Sequence, residues 1–528
     1  MAYRRLTPFD ANGAFRPTAH GDGLRRLAVR GAGVTVLSQG LGFAIQMIAT
    51  VILARLLTPE DFGLMGMVTT FSLLLLNVGL NGFTEAVVQR EQIDDALVSN
   101  LFWVNAGVGL LLTIAFAGGG PLLARLYGEP RVAGVASAVA VTILFTSLSV
   151  QHLALLKRAM RFSDVSANDI VARTISVAVS IVLGWAAWGY WALVAGTVAQ
   201  PVATCLGAWV LCRWVPGLPR RGVGTGPMVW FAMNTYGRFA VSYFSWNLDK
   251  LLIGWRFGPE VLGFYKKAYD LFSLPVNQLS APLTSVAVST LSRLNRESRE
   301  RYFVRALSTL AFVGMGLGAD LTLVGHDVIL LLLGPKWVES GRIFTFLGPG
   351  IGIMLLYFTH GWLHLSLGRA DRWFRWGVIE LALTSLLFLL ALPWGPVGIA
   401  AAWVVSFWVL TIPALWYAGR PGRLAMAPAI AAVWKYVLAS ALAYAVSAAI
   451  VQAIPPLIAT QDALGAAARI GIDSSLFGAL YLGAVVLLYR GCEPLYQVAA
   501  LLGDMVPRGT SSRSAIAPPT PHTSTQGR

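Results

Sequence analysis

From about residue 31 to residue 489 the chain alternates long apolar runs with short polar ones. An α-helix rises 1.5 Å per residue, so ~20 mostly apolar residues are needed to cross bilayer hydrocarbon. Fourteen runs meet that length: 31–54, 62–85, 98–119, 132–154, 168–187, 190–212, 230–255, 259–288, 303–324, 342–366, 373–393, 396–418, 434–456 and 469–489. The seventh and eighth carry many polar residues, and they are included because the loop charges then alternate correctly. The pattern predicts an all-α polytopic membrane protein with about 14 transmembrane helices.

One short pattern occurs twice. Pro59-Glu60-Asp61-Phe62-Gly63 and Pro259-Glu260-Val261-Leu262-Gly263 lie 200 residues apart, and each follows one apolar span and opens the next. An early and a late copy of one helical hairpin point to a transporter of two related bundles with a substrate path between them. The expectation is a pseudo-two-fold axis along the membrane normal, with Pro59 and Pro259 on the same side.

Composition narrows the class. Hydrophobic residues make up 56% of the chain and charged ones 12%, at a mean hydropathy of +0.66, too little charge to cover a soluble surface. With both termini cytoplasmic, the cytoplasmic segments hold 28 of the 40 Lys and Arg and the exterior loops hold 7, counting span edges with their loops. That is the expected inside bias, and it accounts for the net charge of +15. The remaining five are Arg173, Arg238, Lys250, Lys266 and Lys267. Basic residues are scattered through short loops, so no nucleic-acid partner is expected. Residues 1–30 read as a cytoplasmic leader, because the apolar run that follows is too long for a signal peptide. Residues 496–528, rich in Ser, Thr, Pro and Gly, read as a disordered cytoplasmic tail. Cys205, Cys212 and Cys492 form no disulfide framework.

No connecting loop exceeds roughly 20 residues, whereas a membrane enzyme usually needs room for its chemistry outside the bilayer. The longer loops offer one histidine, His326, with no metal-ligand spacing, nucleophile–base pair or phosphate-cradling Gly-rich turn. The expectation is a protein with no catalytic residues, no metal and no cofactor.

Helical periodicity gathers the intramembrane polar groups into stripes. Asn234, Arg238, Ser242, Ser245 and Asp249 fall within about 40° of one line on the seventh span. Lys266, Asp270, Ser273, Asn277, Ser280 and Thr284 do so on the eighth. The first two spans carry milder stripes: Thr35, Gln39, Gln46 and Thr50, then Thr70, Asn77, Asn81 and Thr84. A charge at the bilayer centre costs ~2.5–3.5 kcal/mol even on insertion scales, so these faces must meet protein or water. Two readings stand: structural ion pairs (Arg238 with Asp249, Lys266 with Asp270 at i,i+4), or a water-filled lumen, which the length of the stripes favours. Lys250 lies about 100° off its stripe and flanks the lumen; Lys267 and Arg173 are expected to snorkel to the interface. Glu85, Asp320 and Glu380 are lone acids in other helices, each readable as a proton or cation site, with an interfacial acid the favoured reading. His360 and His364 have i,i+4 spacing, but nothing completes a metal site, so they read as an interfacial polar face.

Several strings, in order, resemble the polysaccharide-transporter family. They are ILARLLTPEDFGLMGMV (52–68), AVVQRE (86–91), SNLFWVNAGVG (99–109), LARLYGEP (123–130), LKRAMRF (156–162) and GYWALVAG (189–196). NLDKLLIG (247–254), GPEVLGFYKKAYDL (258–271) and SLPVNQ (273–278) are similar to its second-half signature. The branch is that of Wzx-like lipopolysaccharide and exopolysaccharide flippases, in the superfamily that includes multidrug MATE exporters and the lipid II flippase. Glu85, Asn81 and Lys266-Lys267 depart from the usual pattern.

The resemblance implies two six-helix bundles in a MATE-like V, residues 31–225 and 226–420, with two additional helices in 421–495. It implies that undecaprenyl-diphosphate-linked oligosaccharide moves from the cytoplasmic to the periplasmic leaflet of a bacterial inner membrane, with polysaccharide polymerase or export machinery as possible partners. A head group sliding through a polar cleft while its lipid tail stays in the bilayer would meet Arg238, Lys250 and Lys266 at the diphosphate. Asn234, Ser245, Asn277, Gln39 and Asn77 would meet the sugars, with Tyr243, Trp246, Tyr265 and Tyr269. Asp249 and Asp270 are the candidates for a coupling proton or sodium ion, since no ATPase motif is present. Alternatives are a related transporter of a drug cation or of lipid II, and a membrane glycosyltransferase or polymerase. A drug exporter should line its lumen with net acid, and a polymerase should carry a long external loop.

Overall fold

A computed structural model of the protein describes residues 8–10, 13, 15, 22–80, 93–220, 226–453 and 463–496. Fifteen α-helices account for nearly all of them. In the first half these are α1 (Asp22–Leu56), α2 (Pro59–Leu80), α3 (Asp95–Gly118), the short α4 (Gly120–Tyr127), α5 (Arg131–Arg158), α6 (Phe162–Trp185) and α7 (Tyr190–Cys212). Next come α8 (Gly226–Leu291), α9 (Arg296–Leu333), α10 (Val338–Leu347), α11 (Gly350–Ser366), α12 (Ala370–Ala391) and α13 (Gly395–Gly419), and last α14 (Met426–Ala453) and α15 (Ala463–Tyr489).

Over the described residues each expected span coincides with helix, with two differences. The seventh and eighth spans run together as α8, broken at Gly258, whose φ of 81° and ψ of −176° lie in a region that essentially only glycine enters. The tenth is divided between α10 and α11, which meet at a bend of 54°. By length and composition, nine described helical stretches are apolar enough to cross a membrane, or ten if the bent pair is one span. The stretch over α12 and α13, Ala370–Gly422, is 53 residues long and holds two helices. Neither α2 nor α8 is among the nine. These two helices make the most extensive helix–helix contact among the described residues.

Helices α1 to α7 pack among themselves, and so do α8 to α13; α14 and α15 pack on α9 and on each other. The two groups meet through α2 against α8. Thr58 opens α2, its Oγ1 and N–H both donating to Asp61 Oδ2 (2.8 and 2.9 Å), ahead of Pro59 in the first turn, where proline's missing N–H costs nothing. The two repeated motifs touch reciprocally. A Cβ added at Gly63 would lie 1.6 Å from the carbonyl oxygen of Pro259, and one added at Gly263 would lie 1.8 Å from that of Pro59. Both glycines are therefore required by backbone-to-backbone approach, which no other residue permits. Around them Trp337 donates to the Ala54 carbonyl at 2.9 Å and stands edge-on to Phe62, and Arg55 donates to the Leu331 carbonyl at 2.9 Å. Beyond this junction, Arg131 joins α5 to α2 by ion pairs with Glu60 and with Glu129, the latter at 2.8 Å.

Candidate functional site

Two Asp–Lys pairs sit on α8, on opposite sides of its break. Their surroundings differ completely. Asp249, before the break, is 0% exposed. Its carboxylate accepts from the Tyr265 hydroxyl (2.8 Å), the Trp403 indole (2.7 Å) and Lys250 Nζ (3.2 and 3.3 Å). Lys250 also donates to the Trp246 carbonyl at 3.1 Å and lies 3.6 Å from the centre of the Tyr269 ring. Both carboxylate oxygens and the ammonium thus have partners inside the second bundle.

Several expectations are corrected here. Asp249, Ser245 and Lys250 do not line open space: Ser245 and Lys250 are buried, and the face they share turns toward α13 and the second arm of α8. Asp249 pairs with its neighbour Lys250. Tyr265 and Tyr269 are buried against each other and Trp403, while Trp246 stacks on Phe358 at 5.2 Å. These rings pack the bundle core, and the buried Tyr265 and Tyr269 are closed to sugars. Tyr243 donates to the Thr70 carbonyl at 2.7 Å, across the junction with α2.

The second pair is open. Lys266 Nζ lies 3.1 Å from Asp270 Oδ2, one turn along, with the two side chains 31% and 44% exposed. Lys266 runs along α2, where a Cβ at Gly66 would meet its Cδ at 3.3 Å, so the missing side chain on α2 leaves its channel. The next residue behaves differently: Lys267 is buried, its ammonium 3.9 Å over the Phe62 ring. It therefore does not snorkel; a cation–π contact replaces water. Asn277 lies further along the same arm and is exposed, as is Gln39 on α1, and half-buried Asn77 on α2 donates to the Leu73 carbonyl at 2.7 Å. The structure thus joins Lys266 with Asp270 and leaves Asn277 and Gln39 open, but sets Asp249, Lys250 and Ser245 in a separate, enclosed site. The side chains of Asn234, Arg238 and Ser242, and residues Asn81, Thr84 and Glu85, lie outside the described residues.

Other groups read singly in the sequence have partners. Arg173 pairs with Asp169 at 3.2 Å, and Asp320 accepts from Ser474 of α15 at 3.2 Å, on the same two helices as the Asp327–Arg469 pair at 2.6 Å. His360, His364 and Glu380, expected at an interface, are buried between α11, α12 and α13. Their i,i+4 and mid-helix positions were visible in the sequence, but burial depends on which helices flank them. Outside the bilayer segments, Arg131 holds the Glu129 carboxyl below its ordinary value near 4.5 through hydrogen bonds and charge.

The fold matches solved transporters. The lipid II flippase MurJ in an inward closed conformation aligns with a TM-score of 0.69 at 15% identity, over 88% of this chain and 99% of that one. An inward-facing multidrug resistance MATE family transporter of the MOP superfamily aligns at 0.58 and 14% identity, over 72% and 94%. In sequence, the teichuronic acid biosynthesis protein TuaB of Bacillus subtilis is 26% identical over 343 residues, 64% of this chain and 70% of that protein. The succinoglycan biosynthesis transport protein ExoT of Rhizobium meliloti is 22% identical over 366 residues, 68% and 73%. The lipopolysaccharide biosynthesis protein WzxC of Escherichia coli is 20% identical over 322 residues, 60% and 65%. A family model described as polysaccharide biosynthesis protein matches residues 52–342, more than half of the sequence and both copies of the repeated motif; this polytopic all-α membrane chain belongs to that family.

Proposed function

We propose that this protein carries a lipid-linked oligosaccharide, a polyprenyl diphosphate bearing the sugars of a surface polysaccharide, across the bacterial inner membrane from the cytoplasmic leaflet. The observation that carries the reading is the Lys266–Asp270 pair, part-open at the seam where α2 meets α8. A diphosphate entering a low-dielectric cleft loses hydration, and a fixed ammonium replaces it. Lys266 is held by only one i,i+4 contact, so exchanging Asp270 for a phosphate oxygen costs little. Arg238 belongs to the same proposal as a second phosphate contact, and Asn277, Gln39, Asn77 and Asn234 as partners of sugar hydroxyls. The lipid tail stays in the bilayer while the head passes. The relatives' names support this cargo class: one is a succinoglycan transport protein, and the fold is that of a lipid II flippase.

The finer architecture belongs to the same reading: fourteen crossings, both termini cytoplasmic, and two six-helix bundles related by a pseudo-two-fold axis. The reciprocal contact of Gly63 with Pro259 and of Gly263 with Pro59 supports that axis, since it brings both prolines to one place. An ion gradient supplies the energy, and polysaccharide polymerase or export machinery receives the product.

The test uses cells that lack the gene and carry either the native protein or Lys266→Gln with Asp270→Asn. The double variant removes the pair together, so assembly in the membrane should persist while surface polysaccharide falls at least tenfold. Normal export by that variant would remove these groups from the cargo path.

A further inference from the structure

A second polar centre lies inside α11, α12 and α13, away from the seam. Tyr357, His360 and His364 follow one another on α11 at 0, 4 and 0% exposure, and Glu380 faces them from α12 at 7%. The Tyr357 hydroxyl accepts from the Trp376 indole at 2.9 Å and lies beside the Glu380 carboxylate. His360 Nδ1 lies 2.6 Å from the Tyr357 carbonyl oxygen. A carbonyl only accepts, so Nδ1 carries the proton and Nε2 holds a free lone pair. That Nε2 has no partner among the described residues, and neither nitrogen of His364 has one. Buried polar atoms are normally paired, and each exception calls for an explanation.

The rings form a file. Tyr357 and His360 are 4.6 Å apart, His360 and His364 5.8 Å, and His364 and Tyr417 of α13 6.0 Å. At its outer end Arg372 lies over Tyr417 at 4.0 Å, beside Asp371, where α11 gives way to α12. At its inner end stands Glu380, which meets the Tyr357 hydroxyl and, among the described residues, no cation. Helix α8 also packs on α12, but its charges Asp249 and Lys250 gather at Trp403, which touches Phe388 two turns further along. Asp249 and Asp270 each already hold a lysine, whereas Glu380 does not. No group of three His, Cys, Asp and Glu among the described residues is placed to hold a metal ion. The ligand that suits one carboxylate and two imidazoles with vacant nitrogens is a proton.

We propose that Glu380 binds the proton that drives transport, and that His364 and His360 conduct it from the Arg372–Tyr417 end. One proton enters from water. The vacant nitrogens of His364 and His360, which touch no protein partner among the described residues, each take it up and release it again through water between the rings. It ends on the Glu380 carboxylate beside the tyrosine hydroxyl. The carboxylate becomes a neutral carboxyl and no electrons are transferred. Its neutralisation removes a charge buried between α11 and α12, which changes how firmly these helices pack. This rests on the transport reading for its purpose, but binding of the proton can be tested without cargo.

Infrared difference spectra of the full-length protein in liposomes, recorded as pH is lowered, should show a protonated-carboxyl stretch that Glu380→Gln abolishes and Asp270→Asn leaves in place. His360→Asn with His364→Asn should keep the stretch but slow its appearance after a pH jump at least tenfold. That double variant carries the test if Glu380→Gln does not assemble. In the same liposomes, a fluorescent undecaprenyl-diphosphate-linked oligosaccharide should move without a gradient in Glu380→Gln but lose its acceleration by an imposed proton gradient. A stretch unchanged in Glu380→Gln, or one whose rate ignores both histidines, overturns the proposal. If the native protein moves no lipid-linked oligosaccharide while the stretch behaves as described, the transport reading fails and the proton site stands.

Discussion

The two Asp–Lys pairs of α8 have the same chemistry, lie within 21 residues of each other, and have opposite roles in the fold. Asp249 and Lys250 are surrounded by Tyr265, Trp403, Trp246 and Tyr269, so each charge has neighbours that replace water. Lys266 and Asp270 have each other and an open side. A buried pair contributes little net stability, but removing one partner strands the other charge. An open pair contributes little and can exchange partners. Enclosure therefore decides which pair holds the bundle together and which is free to meet a ligand.

The sharpest way to break this comparison is Asp249→Asn. It should strand Lys250 and cost about 3–5 kcal/mol, read as loss of folded protein in a thermal melt. Adding Lys250→Met should recover most of that loss. If Asp249→Asn alone melts like the native protein, the enclosed pair is not structural. Next in size is Gly63→Ala, which drives a methyl into the Pro259 carbonyl and should cost on the order of 1–3 kcal/mol. Gly107→Ala on α3 has nothing within 4 Å and should instead stabilise its helix by up to about 1 kcal/mol. Equal melts for these two variants would refute the close approach. Lys266→Gln with Asp270→Asn should shift the melt by no more than ~1 kcal/mol, although export collapses. The smallest effect belongs to Glu129. Its carboxyl is held below its ordinary value, so its contribution is present above about 4.5 and is lost as pH falls through the lowered value. Glu129→Gln should remove that acid dependence while barely moving the melt at neutral pH, because Arg131 is 41% exposed.

The helices were legible in the sequence because membrane spans announce themselves by length and hydropathy. The polar faces were legible as well: the 3.6-residue period places Ser245 and Asp249 together, and Lys266 with Asp270. What the period does not contain is the identity of the neighbour. It reports that residues share a face, while the partner of that face is set by distant helices. Trp403, 154 residues from Asp249, is what closes that pair. Lys250 lay off the stripe, yet its long stem brings Nζ back to the carboxylate beside it. Lys267 shows the same limit, since Phe62 of the other half supplies its surroundings. His360 and His364 were visible as a pair, but their burial depends on Trp376 and Tyr417 from the next two helices.

The contact at Gly63 and Gly263 has a further consequence. Residue Gly63 meets Pro259 while Gly263 meets Pro59, the isologous pattern by which identical subunits join across a dyad. A seam of this kind contains no interlocked rotamers: two carbonyls rest on two α-carbons, and only weak C–H···O attraction acts between them. At that point the halves meet through main chain alone, and the side chains that give the junction its specificity stand on its rim: Trp337, Arg55 and Lys267.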